Sequence, residues 1–148
     1  MARSFSGESM RRATTLVELL LVLAILGILG AMVVPSAARL IDRIQVNGAA
    51  TELSALFAVA RHTATFRSAR AAVHLDGARA TASVTVGRDT VRAVELLHAR
   101  GVHLRATRDS VAYGPTGLGY GASTATVIVE RGREAETLYV SRLGRVRK

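Results

Sequence analysis

The sequence predicts an α+β protein: one long N-terminal helix, half membrane-spanning and half amphipathic, packed on an antiparallel β-sheet domain. Three observations predict it. Residues 19–34 carry no charged or strongly polar side chain. Apolar residues then recur every three or four positions to about residue 66, which is a helical period. After Arg70 the period drops to two, with Gly and Asp clusters between the alternating runs, which is a sheet of hairpins. A chain of 148 residues, 49% hydrophobic and 21% charged, holds one ordinary domain besides that helix.

The apolar run comes first. As a helix at 1.5 Å per residue, residues 14–34 extend about 30 Å, the thickness of a bilayer's hydrocarbon core. A soluble core helix keeps a polar stripe, and none appears after Glu18. Arg3, Arg11 and Arg12 precede the run and are expected to stay in the cytoplasm, which places the C-terminal body outside. Arg39 and Arg43 just beyond it weaken that asymmetry, although a long following domain is translocated largely regardless of charge. Three readings compete: a secretory signal peptide, a twin-arginine signal, and a retained anchor with a short leader. A signal core is about 7–15 apolar residues, and this run is longer and meets a carboxylate at its start. The pair Arg11-Arg12 alone is a weak sign of twin-arginine export.

Glu18 needs an explanation of its own. A central carboxylate costs about 2.5–3.5 kcal/mol to insert, and intramembrane acids usually have a partner. No Lys, Arg or His lies in the following helix turns. One candidate cation is an α-amino group made by cutting the chain upstream; a cut after Ala13 creates one at Thr14, on this chain or on a neighbouring subunit displaced along its axis. At about 4 Å and an effective dielectric of 20, such a pair attracts by about 4 kcal/mol, enough to offset the burial. The alternative is that Glu18 snorkels to the interface.

Pro35 is expected to kink the helix rather than end it, because Leu40, Ile41, Ile44, Leu53, Leu56, Phe57 and Ala60 continue the helical spacing. Polar residues, among them Asp42, Arg43, Gln45, Asn47 and Glu52, fill the other face, with Asn47-Gly48 a point of local weakness. Beyond it, residues 72–75, 80–86, 90–96, 102–106, 111–113, 124–130 and 137–143 read as strands. Turns fall at Asp76-Gly77, residues 87–89, Asp109-Ser110, residues 114–117 and Gly132-Arg133. The helix face bearing Leu53, Leu56, Phe57 and Ala60 is expected to cover the apolar side of one sheet.

Little of this chemistry is catalytic. There are no cysteines, which excludes disulfides and thiolate sites. His62, His74, His98 and His103 show no metal-ligand spacing and read as solvated, and Ser110 has no evident base. Gly117, Gly119 and Gly121 lack the helix and lysine of a phosphate loop and read as a flexible surface loop. No enzyme activity, metal or cofactor is expected. The net charge of +9 is almost wholly guanidinium, since Lys148 is the only lysine. Arg142, Arg145, Arg147 and Lys148 crowd the last residues, and if residues 139–147 are extended, Arg145 and Arg147 point the same way. Such a pair suits nucleic-acid phosphates; a charged edge strand that resists aggregation is the alternative.

The stretch Arg11-Arg12-Ala13-Thr14-Thr15-Leu16-Val17-Glu18-Leu19-Leu20 resembles the class III signal of type IV prepilins and type II secretion pseudopilins. Ala13 stands where that family usually has Gly, and Thr14 where it has Phe or Met. The loop of residues 113–121, the strand of residues 125–130 and the ending of residues 138–147 resemble the GspH pseudopilins and the related FimT minor pilins. The resemblance implies the type IV pilin-like fold and cleavage after Ala13 by a prepilin peptidase that methylates Thr14. It also implies that Glu18 guides assembly with other pseudopilins or pilins. The implied place is the bacterial inner membrane, in contact with its lipid, with the N-terminus cytoplasmic and the domain periplasmic. The organisation is then a leader over 1–13, a transmembrane helix over 14–35, an amphipathic helix over 36–70 and a sheet domain over 71–148. The implied function is a minor pseudopilin of a type II secretion system, acting on secreted substrates. The alternative is a type IV pilus minor pilin that binds DNA, since Gly144-Arg145-Val146-Arg147 matches a Gly-Arg-x-Arg ending.

Overall fold

The computed structural model describes residues 16–121 and 123–148. The chain divides into two units, one up to Ala37 and one from Ala38 to Lys148, and helix α1 (Leu16–Phe66, 51 residues) begins in the first and ends in the second. The described part of the first unit is helical throughout. Its apolar side chains, such as Leu20, Leu23, Leu26 and Met32, are exposed, and its most apolar stretch has a mean hydropathy of 2.8, enough in length and composition to cross a membrane. The helix continues through Pro35.

In the second unit α1 passes Asn47-Gly48 without a break, and its polar side chains turn back on the helix itself. The hydroxyls of Thr51, Ser54 and Thr65 donate to the carbonyls of Asn47, Ala50 and Arg61, each four residues back, at 2.8–2.9 Å. The helix stops at Phe66, short of residue 70. Ser68 takes a left-handed conformation (φ 47°), its N–H donates to Thr65 O, and the N–H of Ala69 donates to Ala64 O. That pairing satisfies carbonyls left open by the last turn.

All strand pairs are antiparallel, as the turn chemistry predicts, but they form two sheets rather than one. The first is five-stranded, in the order β3 (Asp89–Glu95), β2 (Thr81–Val86), β1 (Ala71–Asp76), β5 (Ser110–Tyr113) and β6 (Gly119–Tyr120). The second is four-stranded, in the order β4 (His103–Ala106), β7 (Ala125–Arg131), β8 (Glu134–Val140) and β9 (Val146–Arg147). A short helix, α2 (Leu96–Arg100), takes the residues after β3 and ends on Gly101 in a left-handed conformation. The strand expected over 137–143 instead starts at Glu134 and stops at Val140, because residues 141–144 make a tight turn.

One core joins both sheets to α1. Val46, Ala49, Ala50, Leu53, Leu56, Phe57, Ala60 and Ala64 form the buried face of the helix. Val73, Val84 and Val111 meet it from the first sheet, and Leu104, Val127, Val129 and Leu138 from the second. The alanines bring the backbone of α1 close to strands whose Val and Leu side chains supply the bulk. Leu40, Ile41 and Ile44, expected on this face, are exposed, because before Val46 the sheet domain meets the helix through polar contacts such as Arg131 to Asp42 and does not cover these side chains.

Candidate functional site

The C-terminal hairpin is where local geometry is most tightly specified. After β8, the N–H of Gly144 donates to Ser141 O at 2.8 Å, that of Ser141 to Arg145 O at 2.8 Å, and that of Arg145 to Ser141 Oγ at 3.1 Å. Gly144 is buried at φ +73°, where a side chain is strained. A Cβ there would also run into the ring of Tyr113. Tyr113 lies beneath the turn, fully buried, and its hydroxyl donates to Gly144 O at 3.2 Å. Ser123 donates from Oγ to Arg142 O at 3.0 Å and anchors the turn a second time. Burial pushes the Tyr113 phenol up to about 12, partly countered by the positive charge of Arg61. It therefore stays protonated and keeps donating.

This turn folds β9 back against β8, with Val140 opposite Val146 and Tyr139 opposite Arg147. Residues 139–147 are thus a hairpin and not one extended strand. Arg145 and Arg147 still flank a half-buried Val146, and both line a groove of about 370 Å³ between β9 and α1. The helix contributes Ser54, Ala58 and Arg61 to that groove, over a floor at Phe57. Of the four tail cations, Arg145 and Arg147 are brought together here. Arg142 is exposed in the turn outside the groove lining, and Lys148 donates from Nζ to Thr51 Oγ1 on α1 at 2.8 Å. Arg61 and Tyr113 carry no motif that marks them in the sequence. Gly144 belongs to the Gly-Arg-x-Arg ending, but the extended reading of residues 139–147 places no turn there.

The segment of residues 114–121 is tied down and not a loose surface loop. Gly114 donates to Leu118 O and Gly117 to Gly114 O, each at 2.9 Å, and both glycines are buried. A Cβ on Gly117, at φ +74°, would meet the Arg61 side chain at 3.4 Å, so this loop supports the stem of Arg61.

Two other arginines meet α1 as structural clasps. Arg131 Nε donates to Asp42 Oδ1 at 2.8 Å and its Nη1 to Arg100 O, while Arg100 Nε donates to Glu52 Oε2 at 3.1 Å. Gly48 gives Arg100 room: a Cβ there would lie 2.5 Å from its Nη1.

Glu18 stands exposed in the first turn of α1. Ala13 and Thr14 lie outside the described residues. The four histidines are all exposed, and His74 Nε2 pairs with Thr85 Oγ1 at 3.0 Å. No cluster of three or more metal-ligating side chains occurs among the described residues.

No protein-family model matches this chain, and no curated protein matches it. Solved structures do. The type IV minor pilin FimU of Pseudomonas aeruginosa is similar at 17% identity and a TM-score of 0.62, over 71% of this chain and 88% of that one. A second crystal form of FimU gives 15% and 0.58, over 68% and 90%. The minor pseudopilin EpsH from the Type 2 Secretion System of Vibrio cholerae is similar at 11% identity and a TM-score of 0.55, over 70% and 94%. These likenesses give the fold, a long N-terminal helix packed on antiparallel sheets in the type IV pilin-like manner.

Proposed function

We propose that this chain, with its pilin-like fold, is a minor subunit of a membrane-assembled filament, the pseudopilus of a type II secretion system. In this reading a prepilin peptidase cuts after Ala13 and methylates Thr14, and the apolar helix anchors the subunit in the inner membrane with its domain in the periplasm. Other pseudopilins then pack against that helix, and the filament acts on secreted proteins. One observation carries the reading: a long apolar helix with a single carboxylate, Glu18, at its start runs on as the core helix of a pilin-like domain. Charge explains the need for assembly. In this reading the new amine of an adjacent subunit comes close to the Glu18 carboxylate, and their attraction in the hydrocarbon favours packing of the two helices.

Mass spectrometry of protein extracted from membranes tests it. The expected mature chain starts at Thr14. A chain that still starts at Met1 where a prepilin peptidase is active overturns the reading. Glu18→Ala should leave insertion intact and reduce incorporation into filaments.

A second reading is a minor pilin of a type IV pilus that binds DNA through its basic hairpin. It is favoured by the groove that gathers Arg145 and Arg147, with Arg142 and Lys148 nearby in sequence. Deletion of the gene separates the two: loss of protein secretion supports the first, and loss of DNA uptake with secretion intact supports the second.

A further inference from the structure

Three guanidinium groups surround the hairpin groove, and none has an anionic partner among the described residues. The ion pairs among the described residues join Arg67 to Asp89, Arg100 to Glu52 and Arg131 to Asp42. Arg61, Arg145 and Arg147 take part in none of these. Like charges gathered in one concave place repel, and an arriving anion relieves that repulsion. The gathering is also built. Gly117 packs on the stem of Arg61, Tyr113 and Ser123 hold the turn that aims Arg145, and β9 pairing fixes Arg147. Phe57, buried at the floor, gives the groove one apolar side beneath these guanidinium groups.

We propose that Arg61 is the third ligand of a phosphate-binding groove shared between α1 and the C-terminal hairpin. The inference deepens the second reading above and rests on it for its macromolecular source, a DNA backbone; free phosphate anions share the chemistry. Guanidinium forks match phosphate oxygens in pairs. A phosphate seated between helix and hairpin therefore meets donors from both walls. Arg61 adds one backbone phosphate contact to those that the hairpin makes alone.

The test uses the full chain in a non-ionic detergent and a short labelled DNA duplex, titrated over a range of salt. Arg61→Gln is expected to weaken binding about tenfold at low salt and to lower the slope of log affinity against log salt by about one. Arg79→Gln, in the exposed β1–β2 turn, serves as the control and should change neither. A second arm follows the arginine Nε–H signals by NMR as inorganic pyrophosphate is added, with joint shifts expected at Arg61, Arg145 and Arg147. If Arg61→Gln binds like the unaltered protein while Arg145→Gln plus Arg147→Gln does not bind, the proposal is overturned and the DNA reading stands. If the unaltered protein ignores the duplex but pyrophosphate moves all three signals, the DNA reading falls and the groove stands as a site for small phosphates. If pyrophosphate leaves Arg61 unmoved and the duplex does not bind, both are overturned.

Discussion

Along α1, arginines from distant parts of the chain meet the helix in two different ways. Near residues 42–52, Arg100 and Arg131 are half-buried and each is matched by a carboxylate on the helix. Near residues 54–61, Arg145 and Arg147 approach the same helix but find Ser54, Ala58 and another arginine. The difference lies in what α1 offers: Asp42 and Glu52 on one stretch, Arg61 on the other. The first group closes the fold and the second leaves charge available. Counting arginines therefore says little about either role, and what faces each guanidinium decides.

The comparison breaks most sharply at Gly144. Gly144→Ala places a Cβ at a left-handed residue and against the Tyr113 ring. The expected loss is on the order of 3 kcal/mol by denaturant unfolding, from backbone strain and overpacking together. A loss below about 0.5 kcal/mol would mean that the turn is loose and that Arg145 is not aimed.

Next in size is the contrast between the two arginine groups. Arg131→Ala removes a half-buried pair with Asp42 and a donor to Arg100 O. It should cost about 1–2 kcal/mol, below the fully buried range because solvent still screens the pair. Arg145→Ala and Arg147→Ala should each fall within about 0.5 kcal/mol of the unaltered protein. Equal costs in the two groups would erase the distinction between clasp and groove.

Much of this was legible beforehand, for identifiable reasons. The 3.6-residue period fixed α1 to within a few residues, because Leu53, Leu56, Phe57 and Ala60 must share one face. Alternation placed most strands, but it cannot say which strands pair, and so it left the division into two sheets unseen. The same period placed Leu40, Ile41 and Ile44 on the buried face, although the sheet domain does not cover them. Arg145 and Arg147 stood out as neighbours in a motif. Arg61 did not, since its place in the groove depends on how the hairpin folds back, a tertiary fact with no local signature. Gly48 likewise read as a weakness of the helix, and the structure gives it a purpose as the seat of Arg100.

A loss smaller than that of Arg131→Ala tests how the groove is supported. Tyr113→Phe keeps the buried ring and leaves Gly144 O without its donor, which should cost about 1 kcal/mol. The alkaline limb carries more information. The phenol is pushed up to about 12 in the folded protein from an ordinary 10.0, so between those values the folded state holds a proton that the unfolded chain has released. Its contribution to stability is complete below pH 10 and is lost as pH rises toward about 12, at about 1.4 kcal/mol per pH unit. The stabilities of the two proteins should therefore meet within the first pH unit above 10 and cross before about 12, since the phenylalanine variant has no proton to lose there. Parallel curves would show that Tyr113 ionises as freely in the folded protein as in the unfolded chain. The hairpin would then rest on its own turn and on Ser123, and the phenol beneath it would not set the direction of Arg145.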